Sequence, residues 1–225
     1  MSTRPVTWAA GAPTSQGPSG WSRHHSPILV GVRTGILGGT FDPIHRGHTE
    51  AATAVGSQVA LDRILFMPAG DPWQKTDRDV SPGFHRLEMT RLALEWVAGL
   101  DVDSREIDRH GPTHTIDTLE SFDSSEELFL IVGADAAVGI SSWYRASDVL
   151  SRATVVVLPR EGVDLETAAR AVPEAVFIEM KPIDISSTTI RQLVRMDLPF
   201  DHLVAQRVAE YIESNGLYAD VPVNR

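Results

Sequence analysis

Gly35-Ile36-Leu37-Gly38-Gly39-Thr40-Phe41-Asp42-Pro43-Ile44-His45-Arg46-Gly47-His48 is the stretch on which the fold turns. A short apolar run, Gly35–Leu37, reads as a buried strand. The paired glycines after it let a backbone come close to a ligand. Pro43 sets a turn, and the residues from Thr49 to Ala60 read as a helix whose start offers free amide donors and a positive dipole end. The spacing of His45 and His48 puts them on one face of a first helical turn. Two imidazoles beside a helix N-terminus suit a polyanion, because each can donate a hydrogen bond and a nearby phosphate favours the protonated form. A zinc-binding His-x-x-His pair is the other reading, with no cysteine and no evident third ligand to support it. The glycine spacing does not match a dinucleotide fingerprint, and no Gly-Lys-Ser/Thr exists to make a P-loop.

Working outward, the same alternation continues. Ile64–Met67, Leu128–Val132, Thr154–Leu158 and Val176–Ile178 are strand-like, and Val102–Ile107 is a weaker, alternating candidate. Helix-like stretches lie between them at 82–97, 115–122, 143–150, 165–171 and 187–195. A last helix is expected at Asp201–Ser214, capped by Asp201 and stopped by Gly216. Strands alternating with helices predict an α/β protein with a mostly parallel sheet covered on both faces. In such folds ligands sit beyond the carboxyl ends of the strands, near the switch in strand order.

Composition narrows the chemistry. The 225 residues carry 20 basic and 30 acidic side chains, a net charge of −10, which argues against a nucleic-acid or anionic-membrane binder. There is no cysteine, so a disulfide framework, a thiolate zinc site and a cysteine nucleophile are excluded together. No apolar run approaches membrane-spanning length. Lys75 and Lys181 are the sole lysines, so any motif that needs one has two places to be. Residues 1–31 are rich in Pro, Gly and Ser and hold no acidic residue, and they are expected to form a disordered tail. They lack the apolar segment of a secretory signal, and His24-His25 within them has no third ligand. Residues 32–220 read as a single domain and 221–225 as a C-terminal tail.

A second element is Ile185-Ser186-Ser187-Thr188-Thr189-Ile190-Arg191, which follows a strand and opens a helix. Alone it is a capped helix start. At the same sheet edge as the first loop, it becomes a second helix N-terminus aimed at the same anion, with Arg191 as a planar fork donor.

The two elements together resemble the nucleotidylyltransferase superfamily, whose marks are a T/H-x-G-H loop and a C-terminal Ser-Ser-Thr-x-x-Arg. The chain is most similar to the bacterial nicotinate-nucleotide adenylyltransferases. Phe66-Met67-Pro68-Ala69-Gly70-Asp71-Pro72-Trp73-Gln74-Lys75 resembles that family's second loop, and Gly111–Leu119 its nicotinate-side loop. Gly133-Ala134-Asp135-Ala136 with Ser142-Trp143 resembles the next segment, and Tyr211-Ile212 to Gly216-Leu217-Tyr218 the C-terminal helix. The match runs in order from about Val32 to Tyr218.

The resemblance implies a Rossmann-like fold that joins ATP and nicotinate mononucleotide into nicotinate adenine dinucleotide, with Mg²⁺ arriving on ATP. His45 and His48 would bind the ATP phosphates and stabilise the charge that builds during transfer, on the loop formed by Gly38, Gly39, Thr40 and Phe41. Lys75 would neutralise phosphate near the reacting centre. Arg191, with the helix start at Ser187 and Thr188, would hold the triphosphate. Asp135, after Gly133, would take the adenosine ribose. Trp143, Thr115 and His114 would face the nicotinate ring, and Arg160 would touch the mononucleotide side. Such an enzyme is expected in the cytoplasm, with no nucleic-acid or membrane partner and with a homo-oligomer left open. The family usually has Tyr where His114 stands, Gln where Asp71 stands, Pro where Ala205 stands, and an apolar stretch near Pro182-Ile183-Asp184. His114 therefore either packs as an aromatic stand-in or reads the nicotinate carboxylate. Rival functions are the same transfer to nicotinamide mononucleotide or another phosphomonoester, and a non-catalytic nucleotide-binding relative.

Overall fold

The computed structural model describes residues 31–70, 80–109 and 111–219. Lys75 and the rest of the Asp71–Lys75 motif, the His24-His25 pair and both expected tails beyond Gly31 and Asp220 lie outside the described residues.

Six strands form one parallel sheet: β1 (Arg33–Gly39), β2 (Arg63–Pro68), β3 (Leu100–Val102), β4 (Glu127–Gly133), β5 (Ala153–Leu158) and β6 (Val176–Phe177). Their spatial order is β3-β2-β1-β4-β5-β6, the doubly wound Rossmann order. The chain winds one way from β1 to β3 and the other way from β4 to β6. The switch therefore falls between β1 and β4, whose carboxyl ends are Gly39 and Gly133.

The central stretches of the strands are apolar because both sheet faces are covered, and alternate side chains go to different cores. Leu37, Ile64, Phe66, Phe129, Ile131 and Val156 face one core. It is completed by α1 (Arg46–Val59), α2 (Gly83–Leu94), α8 (Ser187–Arg195) and α9 (Gln206–Ser214), through residues such as Val55, Met89, Ile190 and Ile212. Ile36, Leu65, Met67, Leu130, Val132, Val155 and Val157 face the other. There α4 (Thr115–Leu119), α5 (Ala134–Val138), α6 (Ala146–Arg152) and α7 (Leu165–Ala171) supply Ile116, Ala137, Val149 and Ala168.

Three expectations are corrected. The alternation over Val102–Ile107 is not a strand. β3 ends at Val102, the Asp103 carboxylate accepts the Arg105 N–H at 2.9 Å, and a helical turn, α3 (Arg105–Asp108), follows. The helix expected from Trp143 begins at Ala146, after a 3₁₀ turn over Ile140–Ser142 and a left-handed Arg145 at φ 51°. Nor does Asp201 cap the last helix. It opens a separate 3₁₀ turn, and α9 starts only after Ala205. Val204 between them is fully buried and extended, and its carbonyl accepts the Arg46 side chain at 3.1 Å instead of continuing a helix.

Candidate active site

At the end of β1 the chain makes the turn that carries the two histidines. Gly38 is exposed, and nothing lies within 4 Å of where its Cβ would stand. At Gly39 the same Cβ would lie 2.8 Å from the Phe41 ring. Phe41 adopts φ 49°, a left-handed conformation that is unfavourable for a bulky residue. Its ring is buried, 5.5 Å from Phe66 and edge-on to His48 at 5.0 Å. Phe41, expected among the ATP-binding residues, thus contributes its ring as a support beneath His48.

His45 is the N-cap of α1, in extended conformation, and the helix begins at Arg46. The sequence placed both imidazoles on the first helical turn; the structure puts one just before it and stacks the rings, with centroids 3.7 Å apart. The His45 N–H donates to His48 Nδ1 at 3.2 Å. Because that nitrogen accepts, a neutral His48 carries its proton on Nε2. Gly47 is what leaves room for the pair: a Cβ there would stand 3.0 Å from His45 Nδ1 and 3.2 Å from Ile183. His45 Nδ1 is buried with no hydrogen-bond partner.

Burial holds His45 down to a pKa of about 4, with the Arg160 charge acting in the same direction. Burial also pushes His48 well below its ordinary value, helped by His45 and then Arg160. The protein's own surroundings therefore make both rings neutral donors at pH 7. A polyanion acts in the opposite sense. The cationic pair expected from the sequence is not what the fold alone produces.

The second helix start is bolted to this turn. Ser186 caps α8 by accepting the Thr189 N–H at 3.0 Å. The Ser187 hydroxyl donates to the Pro43 carbonyl at 2.8 Å. Arg191 donates one guanidinium nitrogen to the Asp42 carbonyl at 2.6 Å and another to Thr188 Oγ1 at 3.3 Å. The structure thus brings together His45, His48, Ser187, Thr188 and Arg191 at the end of β1. Its second gathering is beyond β4 and β5, where Arg160 lies 3.6 Å from Asp135. A Cβ on Gly133 would come within 2.5 Å of the Asp135 carboxylate and 3.2 Å of Arg160. Arg160, expected on the mononucleotide side, lies beyond β5 beside Asp135, and its charge also lowers the pKa of both imidazoles. His114 holds the N-cap position of α4, just before Thr115, and its ring meets Tyr144 at 4.5 Å. Trp143 is half-buried against the second core.

Three supporting residues had no role assigned from sequence. Asp42 is buried; its carboxylate accepts the Tyr218 hydroxyl at 2.6 Å and the Ser81 N–H at 3.2 Å. Arg86 is only 1% exposed, and its guanidinium donates at 2.9 Å to the carbonyls of Ser81, Thr40 and Gly70. One signal for Arg86 was legible: it shares a helix face with buried Met89 and Thr90, where a charge is costly unless it holds something. Tyr218 offered no such pattern. Among the described residues no group of three or more His, Asp or Glu side chains could cradle a metal ion, and no helix is long and apolar enough to cross a membrane.

Known proteins carry the same architecture. Residues 36–193 match the cytidylyltransferase-like family. A protein of Acidothermus cellulolyticus named "Probable nicotinate-nucleotide adenylyltransferase" is 41% identical over 196 residues, covering 83% of this chain and 94% of its own. One of the same name from Corynebacterium kroppenstedtii is 42% identical over 191 residues, covering 83% and 90%. This chain belongs to the nicotinate-nucleotide adenylyltransferase family. The Plasmodium falciparum nicotinic acid mononucleotide adenylyltransferase, solved with NaAD, superposes with a TM-score of 0.70 at 17% identity, covering 83% of this chain and 97% of that one. At that identity the likeness speaks for the fold. It agrees with the Rossmann order of the sheet, a fold in which ligands bind beyond the carboxyl ends of the strands at the switch in strand order.

Proposed function

We propose that the chain transfers the adenylyl group of ATP to nicotinate mononucleotide, giving nicotinate adenine dinucleotide and pyrophosphate. A 5′-phosphate oxygen of the mononucleotide attacks the α-phosphorus of ATP in line. The new P–O bond forms as the α–β anhydride bond breaks, and pyrophosphate carries away the electron pair. No proton has to move and no covalent enzyme intermediate is needed. Catalysis then consists of holding two anions together and neutralising charge on the oxygens.

The observation that carries this is the stacked His45–His48 pair at the end of β1, with Arg191 bonded to the same turn and the Arg160 charge acting on both imidazoles. His48 Nε2–H and the free amides opening α1 are assigned to the ATP phosphates, and Arg191 with the α8 start to the outer triphosphate. Asp135 takes the ribose hydroxyls. The α4 start at His114 and Thr115 and the neighbouring Trp143 take the pyridine, and Lys75 neutralises phosphate at the reacting centre. Mg²⁺ enters as part of the substrate MgATP, held mostly by phosphates and water. A cytoplasmic location fits such substrates. The test is pyrophosphate release with MgATP and a panel of acceptors, with the product identified by mass. Dinucleotide formed only with nicotinate mononucleotide is the expected result. A preference for the amide or for another phosphomonoester would change the acceptor, and no turnover with any of them would leave only nucleotide binding.

A further inference from the structure

Asp42 ties three distant parts of the chain to the histidine turn. Its backbone carbonyl receives Arg191, and its carboxylate receives Ser81 N–H and the Tyr218 hydroxyl. Ser81 in turn lends its carbonyl to the buried Arg86, which also grips Thr40 in the same turn. Asp42 immediately follows Phe41, whose left-handed φ persists only while its surroundings hold it. Phe41 sets the height of His48 by edge-on contact.

The hydroxyl that completes this arrangement comes from 176 residues away in sequence. The chain end is shaped to deliver it. After α9, Gly216 turns left-handed at φ 59°, the Leu217 N–H bonds back to the Ile212 carbonyl at 3.0 Å, and Tyr218 itself takes φ 65°. Two left-handed residues thus deliver the Tyr218 hydroxyl to Asp42, with Met89 Sδ 3.9 Å from the same oxygen. Burial and the neighbouring Asp42 charge raise the Tyr218 pKa, so its hydroxyl stays protonated and donates.

We propose that Tyr218 is a positioning residue: through the Asp42 carboxylate its hydroxyl holds the Phe41–His48 turn and the Arg191 guanidinium in their working arrangement. This rests on the adenylyl transfer proposed above. Tyr218→Phe keeps the ring and its packing but leaves a buried carboxylate oxygen without its donor, a loss on the order of tenfold if it is felt in the reaction. Measured well below the unfolding temperature, kcat is expected to fall about tenfold. The KM for ATP should rise, and the KM for the mononucleotide should stay within about twofold. Leu217→Ala, which trims the adjacent core contact, should lower Tm at least as much and leave kcat intact. In an Asp42→Asn background, Tyr218→Phe should cost less than about twofold further, since the route through the carboxylate is already altered. A kcat for Tyr218→Phe within twofold of wild type would overturn the inference, as would an equal loss in Leu217→Ala at matched Tm. A full tenfold loss on top of Asp42→Asn would overturn the route. Wild type that forms no dinucleotide would instead sink the proposed reaction. The inference would then be read from calorimetry with a non-hydrolysable ATP analogue, where Tyr218→Phe should weaken Kd at least threefold and an unchanged Kd would refute it.

Discussion

Replacing His45 with Asn should remove an acid-sensitive element from the fold. His45 is 6% exposed, and burial followed by the Arg160 charge takes its pKa from 6.5 to about 4. The unfolded chain binds this proton below pH 6.5 and the folded chain only below about 4. Between those values the unfolded state therefore holds more protons, and stability falls as pH falls. One pKa unit corresponds to about 1.4 kcal/mol, so the group withdraws roughly 2–3 kcal/mol between pH 7.5 and 4.5. Asn does not titrate and is a favoured N-cap, so α1 keeps its start. Its other effects displace the stability curve, apart from a change at His48, whose pKa His45 helps to lower. Urea unfolding of both proteins at several values between pH 7.5 and 4.5 gives the two curves, in which groups remote from position 45 cancel. The wild type should lose about 2–3 kcal/mol more than His45→Asn over that range. Parallel curves would mean that His45 protonates in the folded protein as it does in the unfolded chain, and the neutral stacked pair would be wrong.

Three further outcomes are expected. His48→Ala should fold normally by circular dichroism but lose about 10²–10³ in kcat, the worth of one transition-state donor; retention of more than a third of wild-type kcat would remove His48 from the reaction. Arg191→Lys exchanges a fork that bonds both Asp42 and Thr188 for a single point charge. The KM for ATP should therefore rise more than the KM for the mononucleotide, and equal rises would count against the triphosphate assignment. His114→Tyr should keep turnover while lowering the preference for the acid over the amide mononucleotide, measured as a ratio of kcat/KM values. An unchanged ratio would leave His114 only its packing against Tyr144.

The strands were legible because both sheet faces are buried. Continuous apolar runs such as Leu128–Val132 can be little else between turn signals, and the interleaved helices imply parallel pairing. The histidine turn and the Ser-Ser-Thr-x-x-Arg helix start were legible because backbone chemistry at a tight approach restricts residue type locally, whereas the Gly133–Asp135 corner was marked only by the family resemblance. Helix α7 kept its expected bounds since Asp164 caps it from within the segment, accepting Glu166 and Thr167 N–H groups.

Tertiary structure alone decided what depends on partners far along the chain. Whether Val204 continues a helix was set by Arg46, 158 residues away. That the imidazoles are neutral follows from burial and from Arg160, which arrives on the loop after β5. Asp42 looks like an ordinary turn residue until Tyr218, Ser81 and Arg191 converge on it. Local sequence carries propensity, spacing and capping, which act over one or two turns of chain. Desolvation and long-range hydrogen bonds exist only once the sheet has brought distant segments together, and they set the protonation and the orientation of this site.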